Sequence, residues 1–292
     1  MRSRERNFEH LEYRYAFGDC HVCVHEDHPV ELPSSGLALF FVHGRYGNSE
    51  TWRPVIERIS DRFRCISIDL PGFGSSFSAR DRGLSLLEYG ALVRGLVVDL
   101  ANPSDTILVG HDLGAAISQL SIVLSSDPLG GLVLLNPVSL LEPPKDFRTG
   151  WRGWLARKRL HTALHPGVAG VGLQQSRAEQ SRAMAELWKT RPSRLSMVKV
   201  FESLRQTWPG PYERKLWKEK LQNSRIPTLF LCGRKDPFNS IENGIALALL
   251  LRESYFYSDT DCGHWPSLEN PDWVVSRLQE FIFKLRVARR VA

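Results

Sequence analysis

The stretch ILVGHDLGAAISQL, residues 107–120, decides how this chain folds. An apolar run climbs to Gly110, a Gly-His-Asp-Leu-Gly turn follows, and small residues after Gly114 open a segment of helical spacing. A short continuous apolar run fits a strand buried on both faces, since a strand with one wet face would alternate. Glycines on either side of the turn let strand and helix approach more closely than a Cβ would allow. At its centre stands Asp112, and a carboxylate there needs a chemical reason.

Outward from this turn, similar apolar runs recur at 37–42, 65–70, 132–137, 228–233 and 254–259. Segments of helical spacing lie between them, at 50–60, 86–100, 113–124, 241–252 and 271–285. Alternation of this kind predicts an α/β fold with a mostly parallel central sheet and helices on both faces. Before it, residues 13–27 read as two strands around Gly18-Asp19, an antiparallel pair at the start of the sheet. The alternation fails once. From 138 to 222 the spacing is helical throughout, at 149–165, 175–190, 195–208 and 212–221, and rich in Trp and Arg. The expected organisation is therefore a core of 1–137 and 223–292 with a helical cap at 138–222.

Bulk composition excludes several classes. With 292 residues, 42% hydrophobic and 24% charged, the chain has ordinary globular usage and no mark of disorder or of a fibrous repeat. A net charge of +6 is modest for the length, and the basic residues are scattered apart from 148–161 and 284–292, so nucleic-acid binding is not expected. The five cysteines are an odd number, several of them in apolar runs, which suits free thiols in a reducing compartment. Cys20 and Cys23 form a CxxC, yet no second pair has zinc-type spacing and the segment alternates like a strand, so no metal is expected. Residues 1–15 are charged and lack the apolar core of a secretory leader, and no apolar stretch approaches the roughly 20 residues that span a bilayer. A cytoplasmic monomer or homodimer without a membrane span is the expectation.

The segment GHDLG resembles the nucleophile elbow of the α/β-hydrolases, usually G-x-S-x-G, with Asp112 in the serine's place. Three further segments match that superfamily. FFVHGRYGN ends a strand at His43-Gly44, where the family's oxyanion-hole loop begins. LFLCGRKDPF sets Asp236 just past a later strand, the position of the acid, and SDTDCGHWPSLENPDWV sets His264 before the last helix. The order nucleophile, acid, histidine is the one this superfamily uses. The resemblance implies the α/β-hydrolase fold and a catalytic set of Asp112, Asp236 and His264. It also implies an oxyanion hole from the backbone N–H groups of Leu113 and Arg45; the Arg45 side chain itself, read as an ordinary charged residue, is expected to point to solvent.

An aspartate changes which atom is attacked. A carboxylate adding to an ester carbonyl would give an anhydride, whereas displacement at a saturated carbon gives an ordinary alkyl ester that water can cleave. That chemistry is similar to the epoxide hydrolase and haloalkane dehalogenase branch, acting on a small apolar substrate without metal or organic cofactor. The halide donors usual after the nucleophile and after His-Gly are replaced by Leu113 and Arg45, which disfavours a dehalogenase unless an insertion tryptophan, such as Trp151, Trp154, Trp188, Trp208 or Trp217, supplies an N–H. Epoxide hydrolases use cap tyrosines as acids, and Tyr212, in an expected loop, is the one tyrosine of the insertion. Epoxide hydrolysis is the favoured expectation, dehalogenation the alternative, and a non-hydrolytic binder or tailoring enzyme on the same fold a third. Purely structural roles also exist for these residues: Asp112 could cap a helix and Asp236 could begin a turn at Pro237.

Overall fold

The computed structural model describes residues 8–30, 36–80, 82–125, 128–142 and 191–291. Strands β1 (Phe8–Phe17) and β2 (Cys20–Pro29) form an antiparallel hairpin. Its turn passes through Gly18, whose φ of 58° lies in the left-handed region that glycine enters without a Cβ clash. The remaining strands are β3 (Ala38–Val42), β4 (Arg64–Ile68), β5 (Phe77–Ser78), β6 (Thr106–His111), β7 (Gly131–Leu135), β8 (Thr228–Gly233) and β9 (Ser254–Asp259). Among the described residues they make one sheet in the order β1-β2-β4-β3-β6-β7-β8-β9, with β5 paired to β2. Every pairing from β4 to β9 along that path is parallel, as the continuous apolar runs require.

Successive side chains of the central strands enter different cores. Phe40, Val42, Leu108, Leu132, Leu134 and Phe230 join the apolar cluster on one face, and Leu39, Phe41, Ile107, Val109, Val133 and Leu231 join that on the other. The first face is covered by α2 (Leu86–Leu100), α3 (Leu113–Leu124) and α5 (Pro211–Asn223). The second is covered by α1 (Arg53–Ile56) and α8 (Pro271–Val291). Helix α2 begins where Ser85 and Glu88 cap each other: Glu88 N–H donates to Ser85 Oγ at 3.2 Å and Ser85 N–H to Glu88 Oε2 at 2.7 Å.

Some expectations shift. The helix read at 50–60 is a 3₁₀ turn (Ser49–Trp52) followed by the four residues of α1, because Pro54 has no N–H to continue a helical ladder. Tyr212 is not in a loop. Pro211 opens α5, where its fixed φ and missing N–H cost nothing, and Tyr212 follows it in the first helical turn. Within the expected cap, the described residues include α4 (Arg191–Thr207) and α5, and both pack on the core. Val200, Phe201, Leu204, Trp217 and Leu221 belong to the same cluster as α2 and α3. Trp151, Trp154 and Trp188 lie outside the described residues. Among the described residues there are two further helices, α6 (Ile241–Leu250) and the short α7 (Pro266–Glu269). No helix among the described residues is long and apolar enough to cross a membrane. All five cysteines are buried and unbridged.

Candidate active site

Asp112 stands between β6 and α3 with φ 51° and ψ −113°, a conformation that costs a non-glycine residue about 1–3 kcal/mol. The surrounding backbone enforces it. Asp112 N–H donates to Leu135 O at 3.1 Å, and its carbonyl accepts from Ala115 at 3.1 Å and Val138 at 3.2 Å. The flanking glycines are needed for contact as well as for conformation. A Cβ on Gly114 would lie 2.3 Å from Val42 O, and one on Gly110 would lie 2.6 Å from Gly114 O. The turn therefore drives the acid into the protein, where its side chain is fully buried.

The loop after β3 meets it from the side. His43 is buried, with Nδ1 2.8 Å from Gly44 O while Leu70 N–H donates to its Nε2 at 3.0 Å, so the ring is a neutral brace. Burial lowers its pKa in agreement with that role. A Cβ on Gly44 would sit 2.7 Å from Asp112 Cβ, so only glycine lets this loop close on the acid. Arg45 N–H then donates to Asp112 Oδ2 at 2.9 Å.

The Arg45 side chain does not turn to solvent. Its Nε donates to Asp112 Oδ2 at 2.9 Å and its Nη2 to Oδ1 at 2.8 Å, a bidentate, buried ion pair. The expectation failed because this partner is 67 residues away in sequence, beyond any local pattern. Asn239, which sequence reasoning missed, adds a fourth hydrogen bond: its Nδ2 donates to Asp112 Oδ1 at 2.8 Å and to Asn136 O at 2.9 Å. Burial alone would raise the Asp112 pKa. The Arg45 charge and hydrogen bonds, with His264 and His111 nearby, hold it well below the usual carboxylate range.

On the other side, Asp236 follows β8 and His264 follows β9. His264 Nδ1 lies 2.8 Å from Asp236 Oδ2, both side chains buried. The other Asp236 oxygen accepts from the N–H groups of Phe238 at 2.7 Å and Asn239 at 3.0 Å, which fixes the carboxylate. Burial would lower the His264 pKa, but Asp236 and Asp112 together raise it. His111 Nε2 donates to His264 O at 2.7 Å, and burial takes its pKa down to about 4, so it serves as a neutral strut. Leu113 begins α3, and its N–H belongs to the first helical turn, which has no intrahelical acceptors.

The structure thus gathers Asp112, Arg45, Asp236 and His264, with Leu113 adjoining, and adds Asn239. It does not bring Tyr212 into this group: the side chain is 72% exposed, whereas Asp112 is buried. Trp217 is buried within the apolar cluster on the α3 face.

The model of the family described as alpha/beta hydrolase fold matches residues 38–271. At 26% identity over 270 residues, 85% of this chain and 90% of the relative, the chain is similar to a 2-hydroxy-6-oxo-2,4-heptadienoate hydrolase of Pseudomonas putida. A pimeloyl-[acyl-carrier protein] methyl ester esterase of Vibrio cholerae is 25% identical over 263 residues, 86% of this chain and 96% of the relative. Among solved structures, an esterase from a Rhodococcus species superposes with a TM-score of 0.72 at 20% identity, over 94% of this chain and 99% of that one. These relatives are named for ester and dienoate hydrolysis, not for epoxides or alkyl halides.

Proposed function

This chain belongs to the alpha/beta hydrolase fold family, and on that premise we propose that it is a hydrolase working through a covalent ester on Asp112. The observation that carries the reading is the strained backbone of Asp112, a non-glycine residue held at φ 51° beside a buried His264–Asp236 pair.

Each step has a group to perform it. Asp112 Oδ1 attacks a saturated carbon, the new C–O bond forms, and the leaving group departs with the bonding pair. His264, its tautomer fixed by Asp236, takes a proton from water, and the hydroxide adds to Cγ of Asp112. The negative charge then gathers on Oδ2, where the Arg45 N–H already donates and the Leu113 N–H is adjacent. Collapse expels the alcohol, which takes its proton from His264, and leaves one water-derived oxygen on Asp112. Before the first step Oδ1 must shed a donor, because Arg45 and Asn239 both occupy it. Tyr212 is exposed and does not supply the acid that epoxide opening would use, so the substrate is best described as a small molecule with a displaceable group on sp³ carbon.

The saturation of Asp112 favours a second reading. If Arg45 keeps the carboxylate throughout, His264 could instead direct water onto an ester carbonyl, the bond named in the esterase relatives. One experiment separates the two. Excess enzyme is allowed a single turnover in heavy-oxygen water with epoxide, alkyl halide and aryl ester panels. Label in the peptide containing Asp112, and an adduct trapped by His264→Gln, support the covalent route. Label confined to product removes it in favour of direct hydrolysis.

A further inference from the structure

The CxxC of β2 cannot chelate as a pair. Side chains on a strand alternate between faces, so residues three apart point oppositely. Cys20 accordingly faces the apolar cluster with Val22 and Val24, and Cys23 faces the other way with His25. On that second side the hairpin register sets Glu12 directly across from His25. The loop after β4 brings in Asp69, whose N–H donates to Cys23 O at 3.0 Å.

Three donors of metal-ligating type, on Cys23, His25 and Asp69, lie within 4.8 Å of one another there, and Glu12 approaches two of them. Cys23 Sγ lies 3.5 Å from His25 Nε2 and 3.7 Å from Glu12 Oε1. One carboxylate oxygen of Asp69 lies within 4.8 Å of the donor atoms of both Cys23 and His25. A tetrahedral zinc ion with ordinary bond lengths spaces its sulfur and nitrogen ligands about 3.5 Å apart, and its sulfur and oxygen ligands about 3.6 Å. The resting thiol reaches the same spacing through hydrogen bonds, and its proton is what an ion would displace. We propose that Cys23, His25 and Asp69, with Glu12 as the fourth ligand, form a binding site for a zinc-class divalent ion.

The surroundings suit that role. Asp69 is preoriented: its Oδ1 accepts from Ser49 N–H at 2.9 Å and its Oδ2 from Ser75 N–H at 2.7 Å, bonds that use one lone pair on each oxygen and leave a second. Cys23 and Asp69 are buried, His25 is 13% exposed and Glu12 60%, so an ion would enter past the exposed end of a surface glutamate. Burial, Asp69 and Glu12 push the Cys23 thiol up to about 12, with Arg14, the cross-strand neighbour of Cys23, opposing them. A divalent cation relieves that crowding of negative groups. A thiolate and imidazole with carboxylates select zinc over magnesium or calcium. Bound there, the ion would tie the hairpin to the loop after β4.

The test uses the full chain, reduced with a phosphine and stripped with a chelator, and titrated with Co²⁺ as the spectroscopic stand-in for Zn²⁺. The expected result is one equivalent bound with a thiolate-to-cobalt charge-transfer band, displaced by Zn²⁺, and a higher melting temperature with Zn²⁺. Cys23→Ala and His25→Ala should abolish the band. Glu12→Gln should weaken binding by at least the roughly 10- to 100-fold that loss of an outer-shell partner costs. His25 is near the surface, so His25→Ala keeps the test open if Cys23→Ala does not fold, and Cys20→Ala should leave the band intact. Absence of a band in the folded chain overturns the proposal, as does a band that survives His25→Ala or vanishes in Cys20→Ala.

Discussion

The guanidinium of Arg45 holds both carboxylate oxygens of Asp112, Nε at 2.9 Å from Oδ2 and Nη2 at 2.8 Å from Oδ1. Removing one partner of a buried pair strands the other charge, which typically costs about 3–5 kcal/mol. Arg45→Ala should lower the urea midpoint by a corresponding amount. Arg45→Lys keeps the charge without the two-pronged geometry and should recover only part of the loss. Combining Arg45→Met with Asp112→Leu should cost less than the sum of the single changes, because neither buried charge then remains.

Stability should depend on pH in two windows of opposite sign. The Asp112 pKa is depressed in the folded state, so its contribution is complete above the unfolded value of about 3.9 and is lost as pH falls through the folded one. The His264 pKa is raised, so its contribution is complete below the unfolded value of about 6.5 and is lost as pH rises through the folded one. Denaturant midpoints across the range should show both slopes, and Asp236→Asn should remove the alkaline one. Activity should rise with pH as His264 becomes neutral, with its midpoint above about 6.5.

Asn239 holds the oxygen of Asp112 assigned to attack. A hydrogen bond to a charged group contributes about 1.5–3 kcal/mol, so Asn239→Ala should destabilise the fold by that order. Its effect on rate separates the two readings of the site. Faster adduct formation in single-turnover kinetics is expected if Asn239 restrains the attacking oxygen, whereas no adduct in either protein is expected if Asp112 is only a counter-ion.

Gly44→Ala tests the approach of the oxyanion loop. The added methyl would meet Asp112 Cβ at 2.7 Å and His111 Nδ1 at 2.8 Å, pushing the Arg45 N–H away from Oδ2. Loss of one such donor usually costs about 10²–10³ in kcat. The hydrolysis step should slow more than adduct formation, and trapped adduct should accumulate.

Much of the fold is legible in the chain because its signals are local. Helices α2 and α3 and strands β8 and β9 coincide with the runs that periodicity marks, and the capping box at Ser85 fixes where α2 starts. The elbow glycines are legible for the same reason. What escaped depends on partners distant in sequence. The side chain of Arg45 and the amide of Asn239 are placed by contacts 67 and 127 residues away, and no spacing rule reaches that far. The two-residue β5 is too short to carry a period. The prolines around Tyr212 suggest a loop, although a proline at the first position of a helix is favourable and Pro211 opens one here.

The floor beneath Asp112 has no slack. Gly44 lies where a methyl would strike the aspartate, and Gly114 where one would strike the β3 backbone. Side-chain volume cannot be gained at these points without moving the groups it would strike. A bulkier residue at either glycine therefore disturbs the turn that holds Asp112 before it alters anything else.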